Sequence, residues 1–147
     1  MKIKREYIFI LIASLLICVA IPFTGYPSLD EAQKLVANKI TAYTEKKYNF
    51  GKNFQQGVLK QGKSKVMTMH LYKGNKYVFI TGASNETTNV RFRIFNERFE
   101  IVKDDNNGEN LSCFELEALL SGAYFIKITM LKCSDDGAYW SYISGYQ

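Results

Sequence analysis

The sequence predicts a mainly β protein: an antiparallel sandwich of about eight strands behind one N-terminal helix. Three observations predict it. Downstream of Tyr48 the apolar residues alternate with polar ones, and a period of two sends successive side chains to opposite faces of a sheet. Clusters of Gly, Asn, Asp and Ser punctuate that pattern at short, fairly even spacing, as in sandwiches and barrels. No helical stretch separates the strands, which excludes a doubly wound parallel sheet. Ten Tyr and ten Phe fit half-buried pleated surfaces, and 47% hydrophobic with 22% charged residues is the balance of a globular chain.

The chain opens on Lys2, Lys4 and Arg5, followed by an apolar run from Ile8 to Ile21 broken only by Ser14. A basic flank and a run too short for a comfortable span read as a secretory signal over residues 1–20. Three outcomes stay open. Cys18-Val19-Ala20 carries small residues where a signal peptidase cuts, giving cleavage after Ala20. Leu15-Leu16-Ile17-Cys18 resembles a lipoprotein box, which would tether the chain at Cys18. Pro22 and Phe23 extend the apolar run, as in an uncleaved anchor. Each outcome makes the protein exported, periplasmic or secreted, with membrane contact only through this segment if it is retained or lipidated.

A helical extension is expected within residues 21–50. Ser28-Leu29-Asp30-Glu31 is a capping box. Leu29, Ala32, Leu35, Val36, Ile40 and Tyr43 recur at helical spacing, giving a helix from Leu29 to about Lys46 whose apolar stripe packs on the sandwich.

The sandwich is expected over residues 51–147. Gln56–Gln61 is a short strand. Lys65–Lys73 puts Met67, Met69 and Leu71 on one face, and Gly74-Asn75 suits a tight hairpin into Lys76–Gly82. Asn89–Phe95 points Val90, Phe92 and Ile94 inward and Arg91 and Arg93 to water. Asn96-Glu97 turns the chain into a strand Arg98–Val102, with Phe99 and Ile101 on its apolar face. A polar turn at Asp104–Asn110 precedes strand Leu111–Leu116. Tyr124, Ile126, Ile128 and Met130 share the inner face of Ala123–Leu131, and Tyr139–Ile143 closes the domain.

Four segments resemble the bacterial pre-peptidase C-terminal domain. They are Leu71-Tyr72-Lys73-Gly74-Asn75-Lys76-Tyr77-Val78-Phe79, Val90-Arg91-Phe92-Arg93-Ile94-Phe95-Asn96, Gly122-Ala123-Tyr124-Phe125-Ile126-Lys127-Ile128 and Trp140-Ser141-Tyr142. The likeness covers about residues 55–147. It implies a jelly-roll-like sandwich and a non-catalytic accessory or binding role. Family members often carry Asp on the central strand, some near calcium. Here Asn89, Arg91 and Arg93 occupy that stretch, and cationic side chains cannot ligate a hard cation.

Little in the residues supports catalysis. A Ser-His-Asp or Cys-His device would have to use the single histidine, His70, which has no motif around it. Zinc would need several Cys or His at short spacing, so no cofactor is expected. Asp104, Asp105 and Asn106 are weak calcium candidates, but Asn107-Gly108 reads better as a turn. Glu115 and Glu117 lie two apart and read as an exposed strand face. Cys113 and Cys133 fit either a disulfide or two buried thiols; a bridge closing that loop would stabilise the fold by ~3 kcal/mol.

Net charge is +5, of which Lys2, Lys4, Arg5 and Glu6 contribute +2. Residues 29–76 hold the basic excess and residues 77–147 the acidic one. Mixed signs argue against a continuous phosphate track, so nucleic acid is not an expected partner. The expected function is a binding module for a protein or a cell-envelope glycan, contacting it through Trp140, Tyr142, Arg91 and Arg93. The alternative is a membrane-tethered structural protein of the envelope.

Overall fold

The computed structural model describes residues 28–86, 88–134 and 136–147, so the targeting segment and its three outcomes lie outside the described residues. One helix, α1 (Leu29–Glu45), precedes nine strands. They are β1 (Asn49–Phe50), β2 (Gln55–Leu59), β3 (Ser64–Leu71), β4 (Lys76–Ala83), β5 (Asn89–Phe95), β6 (Ile101–Asp105), β7 (Leu111–Glu117), β8 (Gly122–Lys132) and β9 (Ala138–Tyr146). One sheet runs β1-β9-β4-β7 with β2 also on β9; the other runs β3-β8-β5-β6. Every pairing is antiparallel. Two four-strand paths, β2-β9-β4-β7 and β3-β8-β5-β6, make a jelly roll.

That order corrects one local expectation. Gly74 adopts φ +85° and Asn75 closes a turn onto Tyr72 O at 3.2 Å, but the turn is not a hairpin. It carries the chain from β3 in one sheet to β4 in the other. Turn chemistry sets the local reversal; long-range pairing decides which sheet receives the strand. Among consecutive strands only β5 and β6 pair with each other.

The core lies between the sheets. Phe79, Val90, Phe92, Ile94 and Ile128 are sealed from water, and rings of Phe79, Phe92 and Phe114 meet at centroid distances of 5.0–6.5 Å. The inward set expected on β3, β5 and β8 faces this core, with Met69 at its margin.

The helix packs on the outer face of the five-stranded sheet. Ala32 and Val36 are buried, and Val36 joins Tyr48, Val78, Ile80 and Ile143 in a second apolar cluster. Close approach requires Gly82: a Cβ there would meet Ala32 O, Leu35 Cβ and Val36 Cγ2, each at 3.2 Å.

Both helix ends are tied down. Ser28 Oγ accepts from Glu31 N at 3.3 Å. The Glu31 carboxylate accepts from Asn85 N at 3.3 Å, so half of the capping box fastens the helix to the β4–β5 connection. At the other end Lys47 sits at φ +69°. Tyr48 N donates to Tyr43 O and Lys47 N to Thr44 O, a Schellman closure with lysine at the usual glycine position. The Tyr43 and Tyr48 rings meet edge to face at 5.7 Å, supplying the apolar contact that accompanies it.

The strand expected at Arg98–Val102 is also corrected. Strand β6 begins at Ile101. Residues 96–100 form a turn in which Asn96 Oδ1 accepts from Arg98 N at 2.9 Å and Glu100 N at 3.0 Å. Local side-chain bonding of this kind outcompetes a ladder.

Phe92→Ala removes a sealed ring at the centre of the core. Stability is expected to fall by about 3–5 kcal/mol, read by chemical denaturation followed by far-ultraviolet circular dichroism; a loss below 1 kcal/mol would contradict this packing.

Candidate functional site

Three connections converge at one end of the sandwich. Gly74 N donates to Ala118 O at 2.8 Å and Ala118 N to Asn75 O at 3.1 Å, while Lys73 N donates to Ser121 Oγ at 2.9 Å. These bonds bind the β3–β4 turn to the β7–β8 loop. The β5–β6 turn stands opposite, close enough that a Cβ on Gly122 would lie 3.0 Å from Glu97 Oε2.

Between the last two runs a groove of about 280 Å³. Its apolar wall comes from Val102, Leu116, Leu119, Leu120 and Tyr124. Glu97, Glu100 and Glu117 line it against the single cation Arg98, so the rim is net acidic. Leu119 is 76% exposed and Leu120 59%. Two adjacent leucines at a loop tip thus leave most of their apolar surface to solvent, the arrangement expected of a contact surface.

The β5–β6 turn carries the most unusual backbone. Phe99 has φ +60°, at the αL position that a three-residue hairpin loop ordinarily gives to glycine. A bulky residue pays about 1–2 kcal/mol there. Its ring, 70% exposed, lies parallel to Phe125 at 4.9 Å and 10°, on the outer face of the four-stranded sheet.

The expected contact residues divide. Trp140 and Tyr142 are 4% and 3% exposed and belong to the main core, where Tyr142 meets Phe92 edge to face at 5.9 Å. They cannot stack on a ligand, and that expectation is corrected. Tryptophan two residues from tyrosine on a closing strand shares one face, and that face is the interior. Arg91 and Arg93 do lie on the outer face, but Arg91 is bound bidentately to Asp104, Nε–Oδ1 2.9 Å and Nη2–Oδ2 2.6 Å. That hydrogen-bonded pairing holds the Asp104 carboxyl below the usual carboxylate range.

The weak calcium candidates are engaged elsewhere too. Asp104 sits on β6 with Arg91, and Asp105 accepts from Ser112 Oγ across the two sheets. Asn106 is exposed. Among the described residues no group of three or more His, Cys, Asp or Glu is placed to hold a metal ion. Cys113 and Cys133 stand as free thiols. Cys113 packs in the cluster beneath the helix and Cys133 against the main core, on opposite sides of a sheet. Burial pushes the Cys113 thiol up, so it stays protonated and unreactive at neutral pH.

Glu115 and Glu117 do not act as a pair. Glu115 accepts from Tyr48 Oη at 2.7 Å and from Lys46 Nζ at 2.9 Å, closing the helix end onto β7. The hydrogen bonds from Tyr48 and then Lys46 hold its carboxyl below the ordinary value. Burial, reinforced by the bond to Glu115, pushes Tyr48 up to about 12. His70 is exposed and meets the Tyr72 ring at 4.9 Å.

Sequence reasoning missed the groove. Leu119-Leu120 is separated from strand β7 by one residue and lies outside every expected strand and site. The signal was present: two leucines between Ala118 and Ser121-Gly122 make an apolar loop, where polar residues are the rule.

No protein-family model matches the chain, and no curated protein matches its sequence. Among solved structures, PliG of Aeromonas hydrophila, a periplasmic inhibitor of g-type lysozyme, is 14% identical over 65% of this chain and 85% of that one, with a TM-score of 0.48. The pre-peptidase C-terminal domain of a Bacillus anthracis collagenase is 14% identical over 62% and 87%, with a TM-score of 0.43. The second belongs to the family that the strand motifs resemble. Likeness at this level carries no function from either protein.

Two outcomes are expected. Because the folded Glu115 carboxyl is depressed, its contribution is complete above the ordinary carboxylate pKa and is lost as pH falls through the folded value. Glu115→Gln should therefore flatten part of the acid limb of stability against pH; identical limbs would remove the clamp. At the strained turn, Phe99→Gly should be more stable than Phe99→Ala by about 1 kcal/mol, since both lose the ring but only glycine relieves the backbone; urea titrations of the two variants decide it.

Proposed function

We propose that the protein is an exported, non-catalytic binding module whose sandwich presents a groove to a protein partner. The observation that carries this is the exposed Leu119-Leu120 pair beside a preformed apolar cleft. The volume suits one large apolar side chain, and Glu97, Glu100 and Glu117 on the rim favour a neighbouring basic residue. A central apolar anchor inside a charged rim is how protein interfaces concentrate their energy. Leucine walls favour an apolar side chain over a sugar, which needs several convergent polar groups.

The absence of a catalytic role is supported by how the reactive residues are used. Glu115 serves the helix end, His70 packs on Tyr72, and no carboxylate pairs with that histidine among the described residues. Export rests on the basic N-terminus and the apolar run behind it.

The test uses the protein immobilised against a displayed library of random peptides. Enriched peptides should carry a large apolar residue next to Lys or Arg. Leu120→Asp should lose them, whereas Tyr139→Ala, a half-exposed ring on β9 away from the groove lining, should keep them. Peptides retained unchanged by Leu120→Asp, or no enrichment, would contradict the reading.

A further inference from the structure

The two sheets differ in what covers them. The helix lies on the outer face of the five-stranded sheet; no described element lies over the outer face of the other. Strand register fixes what that open face presents. Ile101, Phe95, Phe125 and Thr68 stand side by side across four strands, and the next row is Asp104, Arg93, Lys127 and Val66. The rows are two residues, or about 6.6–6.8 Å, apart along β3, β5 and β8, and three residues apart on β6, where the register shifts.

The aromatic row is built up by the turn. Phe99 spends an unfavourable backbone conformation to lay its ring on Phe125, and the Arg93 guanidinium stands 5.5 Å from the Phe95 ring. The result is a flat ring surface bordered by positive charge.

The cationic row sets two like charges side by side without a salt bridge to either. Arg93 and Lys127 are directly opposite on adjacent strands, an arrangement that costs stability. The acid that could neutralise them, Asp104, opposite Arg93 on β6, is turned to Arg91 with both oxygens. Neither Arg93 nor Lys127 forms a salt bridge among the described residues, Asp104 acting on Arg93 only at longer range, and the buried Arg93 Nε makes no hydrogen bond.

We propose that this open face binds an acidic polysaccharide. A sugar ring lays its C–H face on the Phe99 and Phe95 side chains. Its carboxylate bridges Arg93 and Lys127, replacing their repulsion with two charge-assisted hydrogen bonds. An anion alone would answer the cations but leave the rings unused; a neutral sugar would do the reverse. The site shares no lining residue with the groove, and it does not depend on the peptide-binding reading.

The experiment is affinity electrophoresis in gels containing polygalacturonate, dextran or polyphosphate. The protein should be retarded by polygalacturonate and not by dextran. Arg93→Gln and Lys127→Gln should each weaken retardation about tenfold while both variants still unfold cooperatively on heating. Phe99→Ala should weaken it as well, and Leu120→Asp should leave it unchanged. Migration of the wild type unaffected by polygalacturonate would overturn the proposal. So would retardation insensitive to Arg93→Gln, or equal retardation by polyphosphate that Phe99→Ala does not alter.

Discussion

Residues Tyr77–Ala83 of β4 are buried along their whole length, because the strand is covered on both sides of its sheet. Phe79 faces the opposite sheet and Val78 and Ile80 face the helix. Hydrophobicity alone does not set the register of a strand with two apolar faces; shape does, since a one-residue slip would turn the Phe79 ring toward the helix and Val78 and Ile80 into the space between the sheets. The neighbours β7 and β9 inherit that register through continuous ladders. Gly82 belongs to the same constraint, since a Cβ there would press on Ala32, Leu35 and Val36 of the helix at 3.2 Å.

With β4 fixed, the jelly-roll path decides where the loops go. Consecutive strands mostly enter different sheets, so their connections arch over the ends of the sandwich. The turns after β3, β5 and β7 collect at one end, and the first and last of them brace each other through hydrogen bonds. This bracing matters for the groove. An exposed leucine on a loose loop would cost ordering entropy on binding, whereas Ala118, one residue before Leu119, is bonded through both its N–H and its C=O to the β3–β4 turn.

The helix divides the surface. By covering one sheet it leaves the other as the only broad pleated face open to solvent among the described residues, and that face holds the stacked Phe99 and the paired cations Arg93 and Lys127. Its outermost strand, β6, is guarded against strand addition: Lys103 and Asp105 pair with Ile94 and Phe92, which face inward, and inward-pointing charge on an edge deters pairing with another chain. The open face is thus exposed to ligands while its β6 edge is guarded against other strands.

The helix, its Ser28 cap, most of the strands and the inner faces of β3, β5 and β8 were legible in the sequence, because each depends on residues within a few positions of one another. Capping, period and turn residues are local physics. What tertiary structure alone decided is everything that depends on a distant partner. Gly74-Asn75 specifies a turn but not that its two strands part to different sheets. Asp104 looks like a free oxygen ligand until Arg91, thirteen residues away, takes it. Trp140 and Tyr142 alternate as a strand should, yet alternation cannot say which side is the interior until a second sheet lies against one of them. Phe99 fits a strand pattern by composition, and only the bonds made by Asn96 turn it out onto Phe125.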